Sequence, residues 1–522
     1  MDNVVLETYL RRVVAERDRL RRGLRQTEAE RDRLKEQVQR LKQEVARLKA
    51  KLEEAERAGK RQDAPFARRH RKDNPRRPGR KKGHRADHRP RPDHVDHKVD
   101  VPLEYCPLCG CWDLKARKKL APQVVIDYPK EVKPEVWQYH NESGWCPMCK
   151  RWVQSRHPDQ HSSARGAAGV QVGPRILAAG VDLKHRIGVP YKKAAQALEL
   201  LSGVRVVPAT LARAEQRIAR RCEPTVQALV EVVRKADVAQ SDETGWHVTE
   251  APKRAWLWPI VTLEPKVTLY VIRLSRGGEV AAQVLGDFAG ALGVDGWAGY
   301  INLPYLKGQD TAHLLRRCAG LLEVQQRGAA RFPHAVKHVL QRAMAVKLLQ
   351  GELPADDYVA CVDQVRGEMA AVLGGKIQEP ANRRFANHLR NHEEELFTYL
   401  DVPAMPATTA LVEQEVRPAV VVRKMSGGNR TPAGAHVHEV LTTVGRTAER
   451  NSIRLVDVLP ALMCSLVAGY VLPLFPGLPA VIEPSAIEDW VHGVALGCTR
   501  PEPQRTVRPG VSNETTARSP PC

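Results

Sequence analysis

The sequence predicts a multidomain chain of α and α/β parts, and three observations carry that expectation. A 3.5-residue apolar stripe opens the chain, two Cys-x-x-Cys pairs follow an abruptly basic segment, and a later run alternates strand-like and helix-like patterns around isolated aspartates. At 522 residues the chain exceeds one compact core, so roughly three or four units are expected. Its 82 Lys and Arg against 60 Asp and Glu give a formal charge of +22, with a pI near 9.7. That balance favours polyanionic partners, nucleic acid first, and excludes acidic-tail and mucin-like classes. A hydrophobic content of 43% excludes disorder throughout, while 5% aromatic residues leave few stacking platforms.

The stripe over residues 1–56 reads as a coiled coil. Leu10, Leu24, Val38, Val45 and Leu52 fall at one seam position; Leu6, Val13, Leu20, Leu34, Leu41, Leu48 and Ala55 fall at the other. Arg17, Thr27 and Arg31 interrupt the seam, at a cost in stability that helps fix register. A self-associating chain follows, against the alternative of a single solvated helix. Residues 57–100 then change to Arg, Lys, Pro, Gly and His, with no apolar period. Such a linker is expected to be disordered when free and to lie along phosphates, Arg76, Arg77, Arg80, Lys81 and Lys82 being its densest charge. A solubilising spacer is the plainer alternative.

Residues 101–160 hold YCPLCGC and GWCPMCKRW. Cys106 with Cys109, and Cys146 with Cys149, form two turns that each present a pair of thiolates, the ligand set of a closed structural zinc site in a ribbon-like module. Cys111 competes with Cys109, and a redox pair is the rival reading. The start MDNVVLETYLRRVV has no uninterrupted apolar core of a signal peptide, so a cytoplasmic, nucleoid-associated location is expected. The one uncharged stretch, 458–482, is broken by Pro460, Pro473, Pro476 and Pro479, which argues against a membrane span.

Residues 161–235 are amphipathic and helical. A helix ends at Gly203 and a second starts near Pro208 to Thr210, carrying Arg213, Arg217, Arg220 and Arg221. A helix-turn-helix with a basic face and an ordinary helical hairpin both suit that pattern. Beyond it, VAQSDETGW, RAWLWPIVTL and VTLYVIRLS read as three strands, GGEVAAQVLGDF as a helix and ALGVDGWAGY as a fourth strand ending in a turn. Asp242 and Asp295 lie there among apolar or small residues, where a carboxylate is costly unless paired or metal-bound. Adjacent strands would set them side by side, and with a third acid they would make a two-metal phosphoryl-transfer site.

SDETGW, RAWLWPI, SRGGEV, GVDGWAGY, AHLLRRC and the run from EEELFTYLDVPAMP to RKMSGGNRTPAGA together resemble the transposases of the insertion-sequence sixty-six family of bacterial mobile elements. The order of the coiled coil, the PGRKKGH basic segment, the paired CxxC module and the acidic core matches the family as well. The resemblance implies an RNase H-like mixed α/β core with an Asp, Asp, Glu triad: Asp242, Asp295 and Glu413, the last placed four residues before Arg417 of the Arg-Pro pair. Glu415 is the rival, and two residues on a helix are roughly 200° apart, so only one of the two faces the site. Thr409 and Ala410 stand where the family usually has paired Asn, Gln414 where it has Arg, and Asp310 where it has Cys.

The resemblance further implies core parts at 236–318 and 407–455 and a helical insertion at 319–406; a C-terminal segment follows at 456–522, its tail from Thr499 to Cys522, rich in Pro, Arg, Ser and Thr, expected to be disordered. The resemblance also implies Mg²⁺ or Mn²⁺ at the triad, cleavage and 3′-end joining at element ends and target DNA, and small accessory transposition proteins. Arg417, Arg423 and Lys424 are expected on DNA phosphates, with His313 and Arg316 in a similar role. A DNA-binding protein derived from a transposase but catalytically inactive, and a nuclease or resolvase of the same fold, are the alternatives.

Overall fold

The structure is a computed structural model. It describes residues 14–45 except 18, 21, 22 and 42, and residues 91–496 except 105, 110, 113–122, 127, 128, 130, 131, 326, 494 and 495. Arg76, Arg77, Arg80, Lys81, Lys82, the ends of the heptad and the tail from Thr499 lie outside the described residues. The chain divides into two units, Met1–Ala86 and Asp87–Cys522.

In the first unit every described position between 14 and 45 is helical; this is α1. Its seam residues Leu20, Leu24, Leu34, Val38, Leu41 and Val45 are all exposed in the single chain.

The second unit begins irregularly. A hairpin of β1 (Ser143–Cys146) and β2 (Arg151–Gln154) then frames the second CxxC turn, with Trp145 opposite Trp152. Three helices follow: α2 (Pro174–Val181), α3 (Tyr191–Ser202) and α4 (Pro208–Arg234). As expected, α3 stops at Gly203, whose left-handed φ of 70° only glycine adopts freely. From Cys222 to Val230 α4 is buried all round, so its lower half is core and not an exposed reading helix.

The central sheet has β3 (Val238–Ser241), β4 (Thr244–Trp246), β5 (Ala255–Thr262), β6 (Thr268–Arg273), β7 (Ala291–Val294) and β8 (Leu306–Gln309). Across its main part the order is β6-β5-β3-β7-β8: β5 is antiparallel to both neighbours, while β3, β7 and β8 run parallel. β4 resumes beside β5 after a break at Asp242 and Glu243. Helix α5 (Glu279–Leu285) makes the crossover from β6 to β7. The period of two sorts the side chains. Trp258, Ile260, Leu269 and Val271 join one core with α4 and α5, whereas Leu257, Tyr270 and Ile272 face the other side.

Helices α6 (Thr311–Val324), α7 (Arg331–Leu348), α8 (Ala355–Gly374), α9 (Pro380–Asn391) and the short α10 (Thr398–Asp401) enclose a second core that reaches Val238 and Ala291 of the sheet. The chain returns in α11 (Ala410–Ser426), then α12 (Pro432–Arg450) and α13 (Leu455–Cys464). No helix among the described residues is long and apolar enough to cross a membrane.

α12 covers the free edge of β6. Thr447 Oγ1, Thr443 Oγ1 and Glu439 Oε2 accept the backbone N–H groups of Thr268, Tyr270 and Ile272 at 3.1, 2.9 and 3.1 Å. Four helical residues rise about 6 Å and two strand residues about 6.6 Å, so one stripe of the helix matches one row of strand donors. An edge that would otherwise recruit another strand is thereby closed.

Candidate active site

The site forms where parallel strands end. Val238, Ala239 and Gln240 of β3 lie opposite Ala291, Leu292 and Gly293 of β7, and the same register carried past both strand ends sets Asp242 opposite Asp295. The Asp242 Oδ1 accepts the Glu243 N–H at 2.8 Å, and the Asp295 Oδ1 accepts the Trp297 N–H at 2.9 Å. Gly296 makes the turn after Asp295 with φ of 79°, and a Cβ there would strike the Gln309 amide.

Alternation along β3 then divides neighbouring residues. Gln240 and Asp242 share one face, Ser241 and Glu243 the other. Buried Gln240 fastens α11 to the central strand: its Nε2 donates to Thr408 O at 3.0 Å and its Oε1 accepts the Val412 N–H at 3.2 Å. That anchorage delivers Glu413, in the first turn of α11, to the side of the sheet that carries Asp242.

The two glutamates of α11 part company as helical rotation requires. Glu415 is buried, and both its oxygens take hydrogen bonds from Arg446, at 2.9 and 3.0 Å. Glu413 stays partly open and pairs with Arg316 Nη2 at 2.7 Å, with His313 Nε2 at 3.8 Å. Asp310 is buried and caps α6, accepting the N–H groups of Ala312, His313 and Thr409 at 3.1 Å each, and its carboxylate also meets His313 Nδ1. One aspartate thus joins the start of α6 to the start of α11 and turns the imidazole so that Nε2 faces Glu413.

Charge is crowded here. Burial first, and then repulsion from Asp295 and Glu413, pushes Asp242 up to about 6, although the Glu243 N–H opposes the rise. Burial also pushes Glu243 up to about 7. Its Oε1 accepts from Arg276 at 2.7 and 3.1 Å and its Oε2 from Tyr300 at 3.2 Å. Burial works to raise Asp310, but the hydrogen bonds from His313, Thr409 and Ala312 hold it below the usual range. The Asp310 contact in turn raises His313. Among the described residues, Asp310, His313 and Glu413 are the group of three that brings ligand atoms within 4.8 Å of one another. Asp242 and Asp295 do not belong to that group; their carboxylate oxygens, with Asp242 raised first by burial and then by the charges of Asp295 and Glu413, are of the hard donor type that suits Mg²⁺ or Mn²⁺.

Each cysteine pair sits in a turn of its own. The Cys149 N–H donates to Cys146 Sγ at 3.4 Å, and such bonds from Cys149, with those from Cys109 and Leu108 on Cys106, lower both leading thiols. Thiols so primed fit a soft metal such as zinc. Among the described residues, however, the four are not gathered into one group of three or more within 4.8 Å.

Of the expected phosphate contacts, Arg217 and Arg417 are exposed and Lys424 is half-buried. Arg423 is engaged with Thr244 Oγ1 and the Gly245 carbonyl. Arg221, expected on a basic helix face, instead binds the carbonyls of Met463 and Ser465 beyond α4. Sequence reasoning missed Gln240, Glu243, Arg276 and the role of Asp310. The helix start at Thr311 after an aspartate was the one local signal for the last of these; the rest act across distances of sequence that no local pattern spans.

The transposase IS66 family is matched by residues 169–437, which contain Asp242, Glu243, Asp295, Asp310, Glu413 and Glu415. An uncharacterized protein of Sinorhizobium fredii, y4qI, is 23% identical over 331 residues, covering 57% of this chain and 60% of that protein. This chain therefore spans about three fifths of that relative's length.

Proposed function

The chain belongs to the IS66 transposase family, and from that membership we propose a metal-dependent DNA transposase that nicks element ends and joins their 3′ hydroxyls to target DNA. The reading is supported by the register of the adjacent parallel strands β3 and β7, which carried past their ends sets Asp242 opposite Asp295, and by Glu413 in the first turn of α11, whose charge, with that of Asp295, raises Asp242. The strand order β6-β5-β3-β7-β8, with three antiparallel strands followed by two parallel ones, supports an RNase H-like core.

Asp242, Asp295 and Glu413 would hold Mg²⁺ or Mn²⁺, which when bound supplies Lewis-acid stabilisation to the charge on the phosphoryl oxygens. In the first step water attacks phosphorus in line and the bond to the 3′ oxygen breaks, leaving a 3′ hydroxyl and a 5′ phosphate. In the second that hydroxyl attacks a target phosphate and a target 3′ oxygen leaves, so the number of phosphodiester bonds is conserved. Arg316 and His313, at the mouth beside Glu413, contact the non-bridging oxygens as charge builds there, with His313 oriented by Asp310. Arg417 and Lys424 approach flanking phosphates, as do Arg217 and the basic segment of Arg76, Arg77, Arg80, Lys81 and Lys82. Cys106, Cys109, Cys146 and Cys149 bind structural zinc, and α1 pairs protomers so that two ends are held together.

A strand-transfer reaction with Mg²⁺ and duplexes taken from the flanks of this gene tests the reading. Asp242→Asn and Glu413→Gln are expected to lower joining at least a thousandfold with DNA binding unchanged. Glu415→Gln is expected to lose folded protein while each folded molecule keeps its chemistry. Equal joining by Asp242→Asn and the parent would overturn the catalytic assignment.

A further inference from the structure

On the opposite face of β3 from Asp242, a row of flat cations and indoles borders the acids. The Arg254 guanidinium lies over the Trp256 ring at 4.7 Å; that of Arg276 lies over the same ring at 4.7 Å and over Trp297 at 4.4 Å. Glu243 follows Asp242 directly and Trp297 stands two residues beyond Asp295, so the row starts at the catalytic strand ends. From there it reaches an open cavity of about 560 Å³ at β4, lined among others by His247, Lys253, Arg254 and Arg423.

We propose that Arg254 and Arg276 form a backbone track that binds successive phosphates of the DNA strand entering the acidic site. The proposal rests on the DNA reading above. Each arginine is set before any ligand arrives. Arg276 is fixed through Nε and Nη2 by Glu243, whose other oxygen is held by Tyr300, yet its side chain remains 44% exposed. Arg254 is exposed and has no carboxylate partner among the described residues. Gly245 makes room for it, since a Cβ there would collide with the guanidinium.

Stacking on indole occupies the flat faces of a guanidinium and leaves its in-plane N–H donors, whose fork matches two oxygens of a phosphate. Because the stacked group has few rotamers left to lose, ordering costs little on binding. Arg316, like Arg276, pairs with a carboxylate at 2.7 Å, and Arg423 is held by Thr244 and Gly245; what sets Arg254 and Arg276 apart is the indole beneath each guanidinium. With the indoles already covered by cations, the row suits phosphate more than an unstacked base.

The test uses full-length protein, the same flanking duplexes and single methylphosphonate substitutions near the nicked position. Arg254→Gln, which breaks no ion pair among the described residues, and Arg276→Gln are each expected to weaken binding about tenfold. Each is also expected to lower the slope of log K against log salt by about 1. One neutralised phosphate should weaken the parent by a similar factor and weaken the matching variant no further. Arg276→Lys, which keeps the charge but loses the fork, is expected not to restore binding. Should Arg254→Gln keep the parent's slope and its full methylphosphonate sensitivity, the track is wrong even though the parent cuts and Asp242→Asn does not. Should the parent neither bind nor cut these duplexes, the transposase reading falls and the track with it.

Discussion

At the level of single residues, the acids carry their cost in a form that pH reveals. Asp242 is pushed up to about 6 in the folded chain, against about 3.9 for an unfolded aspartate. The folded state therefore holds this proton more tightly, and the stability it contributes is full below about pH 4 and is lost as pH rises through about 6. Glu243, pushed up to about 7, extends the decline towards neutrality. Burial of His388, held at about 4, and of His438 works the other way between about pH 4.5 and 7.5, so the Asp242 contribution is read from the difference between the metal-free parent and its Asp242→Asn variant. Asp242→Asn should flatten the lower part of the decline due to the acids, raising stability at pH 7 by on the order of 1–2 kcal/mol. Mg²⁺ at neutral pH should recover part of the parent's loss and little of the variant's. Scanning calorimetry of both proteins across that range decides it, and a difference between parent and variant that stays constant with pH would refute the assignment. Asp242 and Asp295 were legible in the sequence because a charge between apolar strand residues is conspicuous. Glu413 and Glu415 were not separable there, since what distinguishes them is Arg446, a partner from another helix.

At the level of elements, periodicity was readable and edges were not. The strands β3, β5, β6 and β7 and the crossover α5 fall where alternation and helical spacing place them. β8 was missed because LKGQ offers little alternation; it exists because β7 presents a parallel edge to pair with. Nor does a helix reading of α12 foretell that Glu439, Thr443 and Thr447 replace a missing neighbour strand. That arrangement makes Thr443 unusually important for a threonine on a helix. Thr443→Val keeps the shape but leaves the buried Tyr270 N–H without an acceptor, a loss of about 1–3 kcal/mol. Thr443→Ser, which keeps the hydroxyl, should recover most of it. Urea unfolding of the three proteins measures the difference, and equal midpoints for Val and Thr would mean that the edge contact contributes nothing net.

At the level of the whole molecule, what one chain leaves unsatisfied points to assembly. The row on α1 is apolar at a 3.5-residue period, yet Leu20 is 69% exposed, Leu34 55% and Leu41 61%. An isolated helix gains nothing from such a row, and each leucine buried against a second copy is worth about 1.5–3 kcal/mol. The proposed reaction would bring two DNA ends into one complex, and a seam that pairs chains would serve it directly. Replacing Leu34 and Leu41 together with Lys sets four charges in a paired seam. It should weaken self-association by at least about a hundredfold. Sedimentation velocity over a range of concentrations is expected to show the parent associating and the double variant monomeric, with the circular dichroism of the α/β unit unchanged. In the same preparations nicking of single ends should persist while joining of paired ends falls, because each core keeps its own Asp242, Asp295 and Glu413. A parent that stays monomeric at every concentration would remove α1 from this role. A variant that joins paired ends as well as the parent would show that the cores meet through another surface.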